Sequence, residues 1–372
     1  MSGGLIDLVA KGAQDVYLTG EPKVSFFRQN YKTHTNFSMK TELLDYTGTF
    51  NSGNQVVVPI VSKGDLLSCL WIEGVNIAGH GNDATFLHSN DEPTVTEFSL
   101  YIGGQEVVRL DSLYIQNVHN LLYNPTSARA SMAATLNYVP ENATAGTIKK
   151  MDHYLIPFYF CDDISKSLPL LALQYHEVEL RIRIRNNMTT TVAPRVYANF
   201  VYLDGPERDY FVNTNHEYLI TQVQTLLATK SDTSFDLSYL NHPCKAIHLV
   251  SGNATVNSWI SEYTFDKATL YINGTPLFEN MSNVFHHTIV PMQYCSVLPG
   301  GDAIEGAPVY TWPLCVTLNK AQPCGSTNFS RLDNATLKIT SPTGGNSLHR
   351  IYAVNYNILR IQKGLGGVAF SS

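Results

Sequence analysis

The chain has 372 residues, 44% of them hydrophobic and only 15% charged, with 25 Lys and Arg against 31 Asp and Glu for a net charge of −6. With 21 Tyr and 16 Phe, this composition excludes a disordered chain, which is charge-rich and aromatic-poor. The acidic balance and the lack of a basic run exclude nucleic-acid binding through a broad positive face, so no direct sequence-specific nucleic-acid partner is expected.

In chain order, residues 5–16 have helical spacing at Leu5, Leu8, Val9 and Ala13, weakened by Gly12. Their apolar stretch is too short for a signal-peptide core, and the expectation is a product made without a secretion signal. Strands are predicted at 55–61, 66–75, 96–102 and 154–161, where Val, Ile, Thr, Tyr and Phe run between Gly, Asn, Asp and Pro. Asp111 is placed to cap a helix over 112–122 that Asn124-Pro125 ends. Residues 177–185 alternate strictly, with Val, Leu, Ile and Ile on one face and Glu, Glu, Arg, Arg and Arg on the other. This is the pattern of a half-buried strand. A strand at 195–203 leads to a boundary at 205–216, where Asp204-Gly205-Pro206 gives a turn signal. Further strands are predicted at 217–227, 246–250, 268–272, 310–318, 335–340 and 349–361. Leu100-Tyr101-Ile102-Gly103-Gly104 in the first half is echoed by Leu270-Tyr271-Ile272-Asn273-Gly274 in the second, a short repeat. Many strands, few helices and long polar loops at 76–93, 124–152 and 251–267 predict an all-β chain of paired sandwiches with variable surface on the loops.

A search for chemistry finds little. The six Cys show no Cys-x-x-Cys spacing, which excludes zinc ribbons and thioredoxin motifs and predicts reduced, mostly buried thiols. There is no phosphate-binding Gly-x-x-x-x-Gly-Lys-Ser/Thr and no Gly-x-Ser-x-Gly elbow. His176-Glu177 and His216-Glu217 lack the second His of a zinc motif and read as strand residues. His286-His287 reads as a pair at a turn. Asp162-Asp163 reads as a turn, and Asp302 and Glu305 as loop charges. Trp71 and Trp312 are expected to face cores, leaving Trp259 as the candidate surface aromatic of a sugar-binding sandwich. Asn-x-Ser/Thr occurs at Asn36, Asn142, Asn187, Asn253, Asn273, Asn280, Asn328 and Asn334. Asn142, Asn253 and Asn280 are the candidates for glycan attachment. No catalytic residue, metal or cofactor is expected, and a structural role is preferred to an enzymatic one.

Five blocks carry a resemblance. They are Gly3 to Gly20 (Gly-Gly-Leu-Ile-Asp-Leu-Val-Ala-Lys-Gly-Ala-Gln-Asp-Val-Tyr-Leu-Thr-Gly), Leu168-Pro169-Leu170-Leu171 through Val178, and Tyr202-Leu203-Asp204 through His216-Glu217-Tyr218-Leu219-Ile220. Asn328-Phe329-Ser330-Arg331-Leu332-Asp333 and Tyr352 through Ile361 with 364–370 complete the set. In this order they resemble the major capsid proteins of the nucleocytoplasmic large DNA viruses, phycodnavirus-like in detail. The resemblance implies two consecutive eight-stranded antiparallel jelly rolls. It implies an arm at 1–23, a first roll at 24–205, a linker at 206–216, a second roll at 217–363 and a tail at 364–372. It further implies homotrimeric, pseudo-hexagonal capsomers in an icosahedral virion shell. Neighbouring capsomers, minor capsid and penton proteins and an internal viral membrane are the implied partners. A minor capsid paralogue of the same fold and a carbohydrate-binding β-sandwich are the alternatives.

Overall fold

The computed structural model of the chain describes residues 12–29, 31–51, 53–74, 96–124, 153–184, 193–229, 231–251, 263–295, 309–343 and 349–371. Residues 1–36 form one unit and 37–372 another. In the first unit, Ala13–Asp15 makes a 3₁₀ turn and Val16–Thr19 a single helical turn. The Gly12 N–H donates to the Asp15 carboxylate at 2.6 Å, which closes that start.

The second unit opens with nine strands. They are β1 (Phe37–Leu44), β2 (Gln55–Pro59), β3 (Leu66–Glu73), β4 (Glu97–Ile102), β5 (Gln105–Asp111), β6 (His153–Leu155), β7 (Leu168–Pro169), β8 (Val178–Arg183) and β9 (Arg195–Leu203). One sheet runs β1-β9-β3-β6 with β7 added on β3, and the other runs β2-β8-β4-β5. Next come β10 (His216–Ala228), β11 (Ser234–Asp236), β12 (Pro243–Ser251), β13 (Lys267–Ile272), β14 (Thr275–Ser282), β15 (Val309–Pro313), β16 (Thr327–Asn328), β17 (Ala335–Ile339), β18 (His349–Gln362) and β19 (Leu365–Val368). Their sheets run β10-β18-β12-β15 and β11-β17-β13-β14, so the second set reproduces the first strand for strand. All named pairs are antiparallel. These are two eight-stranded jelly rolls in tandem, with β7, β16 and β19 as short additions.

The sequence pattern explains the best-formed elements. In β8, Val178, Leu180 and Ile182 are buried while Glu179, Arg181 and Arg183 face outward. The outward Arg181 stacks over the Tyr101 ring at 4.0 Å on neighbouring β4 and pairs with Glu179. The five-residue echo marks equivalent hairpins, β4–β5 and β13–β14. Each hairpin leads into a helix with a π turn: Ser112–Tyr114, Ile115–His119 and Asn120–Leu122 in the first roll, and Phe285–Ile289 and Val290–Tyr294 in the second. Asp111 caps the first helix, accepting from the Tyr114 N–H at 2.7 Å.

Several expectations need correction. The strand predicted at 154–161 ends at Leu155, because Pro157 has no N–H for the ladder; Tyr159–Asp162 is a helical turn that buries Tyr159 and Phe160. The strand predicted at 310–318 ends at Pro313 in the same way. The turn signal at 204–206 starts a helix, Gly205–Asn213. The Asp204 carboxylate accepts from the Gly205 N–H at 2.8 Å, and the proline sits in the first helical turn. His286 and His287 lie on the π turn, and His286 is buried. His176 lies on a bend and not on a strand. Trp71 is half-buried and stacks on Tyr197, with centroids 5.7 Å apart, whereas Trp312 is fully enclosed. The loops at 76–93 and 299–308, with Trp259, Asn142, Asn187 and Asn253, lie outside the described residues.

Two large cores result. One contains Phe235, Leu249, Tyr263, Leu270, Trp312 and Leu337, all from the second roll. The other fills the first roll with Val58, Leu70, Phe98, Leu100, Phe160, Leu180 and Phe200, and extends into the second through Ile220, Tyr352, Val354, Leu359 and Ile361.

Candidate functional site

The densest polar chemistry lies where β5, β10, β12 and β18 bring the two rolls together. Asp111 ends β5, and its carboxylate is buried. It accepts from the Tyr352 hydroxyl at 2.8 and 2.9 Å and from Arg350 at 3.2 Å, both on β18. Burial pushes the Asp111 carboxyl above its ordinary pKa, although Arg350 and the Tyr114 N–H pull the other way. Three donors to one carboxylate, the Tyr352 hydroxyl shared between its two oxygens, replace the hydration it loses.

Around this pair the rolls exchange further bonds. Gln222 on β10 donates to the Val107 carbonyl at 2.6 Å. Lys166 of the first roll donates to the Ala321 carbonyl of the second at 2.9 Å. The Tyr123 hydroxyl lies 2.7 Å from His248 Nε2, while His248 Nδ1 lies 3.0 Å from the Thr311 hydroxyl. Burial lowers the His248 pKa to about 3, so the ring is neutral, with one nitrogen bonded to Tyr123 and the other to Thr311. Lys245 on β12 donates to the Leu318 and Lys320 carbonyls and lies 5.3 Å over the Tyr123 ring. Burial lowers its pKa. The β18–β19 hairpin reaches back to the first roll, where Gly366 meets His176 Nδ1, with its N–H at 3.1 Å and its carbonyl at 2.9 Å.

A cavity of about 390 Å³ lies within this junction, lined by Tyr114, His119, Tyr159, Asp162, Lys166 and Lys245 among others. His119 Nε2 stands 3.4 Å from Asp162; His119 Nδ1 and the Tyr159 hydroxyl have no protein hydrogen-bond partner. The space is polar and roomy enough for water. No nucleophile–base–acid relay is formed by these contacts, and among the described residues no three metal-ligating side chains converge. The arrangement fastens two sandwiches together.

Of the residues singled out in the sequence, Asn280 is exposed on β14 with a φ of 51°. Asp162 and Asp163 end a helical turn, where Asp163 accepts from the Ser165 N–H at 2.9 Å. All six cysteines are free thiols. Sequence reasoning missed Asp111 with Arg350 and Tyr352 as a joint. Only the capping role of Asp111 left a local signal.

Comparison with known proteins matches the two rolls separately. Residues 25–204 fit the family described as "Major capsid protein N-terminus", and 207–367 fit "Large eukaryotic DNA virus major capsid protein". The chain is 31% identical to the major capsid protein of Pyramimonas orientalis virus and 29% identical to that of Paramecium bursaria Chlorella virus 1, in each case over the whole of both chains. In structure it is similar to the crystal structure of VP54 of the latter virus. The TM-score is 0.74 at 23% identity, covering 94% of this chain and all of that one, a likeness of fold.

Proposed function

The chain belongs to the major capsid proteins of large eukaryotic DNA viruses, and from that membership we propose that three copies close into a pseudo-hexagonal capsomer that tiles an icosahedral shell. Its role is structural, in the capsid. The observation that carries the trimer is the strand-for-strand duplication: each chain supplies two like wedges, so three chains supply six. The exposed edge strand β1, with Phe37, Met39 and Leu43 more than two-fifths accessible, offers apolar surface for a neighbour to cover.

The proposed division keeps an arm at 1–23, rolls at 24–205 and 217–363 joined by 206–216, and a tail at 364–372. Tyr17, Leu18, Phe26 and Phe27 are all more than four-fifths exposed. Aromatic surface of that kind calls for cover from neighbouring capsomers, minor capsid and penton proteins or the internal membrane. Glycans on Asn142, Asn253 and Asn280 belong to this reading, as does assembly in the host cell without secretion. Exposure of Asn280 supports one of those positions.

Light scattering after gel filtration tests the trimer. Three chains of 41.3 kDa give about 124 kDa, with hexagonal outlines in the electron microscope; a stable monomer overturns the proposal. Deleting 1–23 is expected to leave trimers and impair shell assembly, and loss of the fold itself would refute the arm.

A further inference from the structure

We propose that Cys315 and Cys324 form a dithiol site that closes to an intramolecular disulfide in the presence of a small disulfide oxidant, of which oxidised glutathione is the type. This goes beyond the capsid role and does not depend on the trimer.

The two residues bracket the loop that follows β15. The Val316 N–H donates to the Cys324 carbonyl at 3.0 Å, so the two ends of the loop run side by side. Both thiols donate to a single acceptor, the Thr317 carbonyl, at 3.2 Å from Cys315 and 2.8 Å from Cys324. The two sulfurs also face each other. Two sulfurs directed at one oxygen from adjacent backbones lie within reach of each other.

The pair is also asymmetric, as exchange chemistry requires. Cys324 is half-buried beside exposed Pro323, and Cys315 is buried. Burial raises the Cys324 pKa, but the hydrogen bond that the Thr317 hydroxyl donates to its sulfur and the nearby Lys245 ammonium outweigh it and leave the thiol below its ordinary value. Burial holds Cys315 up at about 12. Cys324 is therefore the attacking sulfur and Cys315 the resolving one. The Cys324 thiolate attacks one sulfur of the oxidant, the oxidant's S–S bond breaks, and one glutathione leaves and takes up the Cys324 proton. Cys315 then attacks Cys324 Sγ in the mixed disulfide and expels the second glutathione, which takes up the Cys315 proton. Two protein thiols lose two electrons, and one glutathione disulfide becomes two thiols.

Closure bears on the junction. The bracketed loop carries the Leu318 and Lys320 carbonyls that hold Lys245 and the Ala321 carbonyl that holds Lys166 of the first roll. A covalent link across its base removes the freedom of the segment that grips both ammonium groups. Cys69 and Cys161 also face each other, but burial drives the Cys161 thiol well above its ordinary pKa, and Cys244 and Cys295 are held at about 12. Cys161, Cys244 and Cys295 therefore lack the lowered pKa that the first attack on the oxidant requires, whereas Cys315 attacks only within the mixed disulfide.

The test incubates the full chain, reduced and then freed of reductant, with oxidised glutathione. Remaining thiols are alkylated and peptides mapped by mass without reduction. The expected result is loss of two of the six thiols, one cross-linked peptide joining Cys315 to Cys324, and a melting temperature a few degrees higher that dithiothreitol reverses. Cys315→Ser should trap a glutathione adduct on Cys324, and Cys324→Ser should leave all its thiols free. Six thiols remaining in the wild type, or a cross-link formed first at Cys69–Cys161, would overturn the proposal. The wild-type map stands without the variants if either fails to fold.

Discussion

The hairpin joining β4 to β5 turns on Gly103-Gly104, and its counterpart between β13 and β14 turns on Asn273-Gly274. The φ angles nearly coincide, at 56° and 81° against 47° and 79°. Two positive values in succession are the mark of a tight hairpin turn, and both sequences satisfy it. The surroundings differ. A Cβ on Gly103 would fall 2.4 Å from His176 Nδ1, whereas Asn273 uses its side chain to accept from the Asp333 and Asn334 N–H groups at 3.1 and 3.2 Å. The first roll's turn is pressed against the residue that meets Gly366 of the C-terminal hairpin; the second roll's turn serves only its own roll. The cores repeat the contrast. The second roll fills its larger core with its own side chains, while the first draws Tyr352, Val354 and Ile361 from its neighbour. A duplicated fold has thus become an unequal pair, in which the first roll is completed by the second.

The largest test of this inequality is at Asp111. Asp111→Ala removes the helix cap and leaves the Arg350 guanidinium buried beside Tyr352, so it should cost about 3–5 kcal/mol in denaturant unfolding. Arg350→Ala should cost a similar amount, and the double variant less than the two together. Additive costs would mean that the rolls are not coupled there.

Acid should act next, and on the second roll first. Burial lowers His248 to about 3 and His286 to about 4, and both lie in that roll. A histidine whose folded pKa is depressed contributes its stability above the unfolded value of about 6.5, and that stability is lost as pH falls toward the folded value. By pH 5 each should have given up about 2 kcal/mol. Asp111, with a raised pKa, has the opposite sign and gives a partial offset as pH falls toward its ordinary carboxyl value. Melting temperatures from pH 7 to 4 should fall. His286→Gln should flatten the slope, and an unchanged slope would show that this ring is not the one titrating.

The turns give the smallest and sharpest contrast. Gly103→Asn should cost about 2 kcal/mol through the clash with His176, and Asn273→Gly less than about 1 kcal/mol. Equal costs would remove the distinction between the two hairpins.

How much was legible in the sequence follows from where each signal resides. β8 could be read because one of its faces is buried and the other wet, which writes a period of two into the chain. β1 and β14 could not, because each is an edge strand exposed along most of its length, and no burial pattern constrains it. The helix Gly205–Asn213 buries nothing, and its Asp-Gly-Pro start serves a turn as well as a helix. The echo of Leu-Tyr-Ile was legible, but only the sheet orders give it meaning as the same hairpin in two rolls.

The sequence by itself determined that the chain is all-β and, through five spaced blocks, which family it resembles, and that resemblance implied the doubling. Alternation, turn residues and motif order are local properties, and they are written along the chain. The tertiary structure alone decided that Asp111 meets Arg350, 239 positions away. It also decided that Cys315 and Cys324 converge on one carbonyl, and that the first roll borrows part of its core from the second. Those contacts depend on which strands lie side by side, and side chains that become neighbours only after both rolls have closed leave no mark on the residues next to them in sequence.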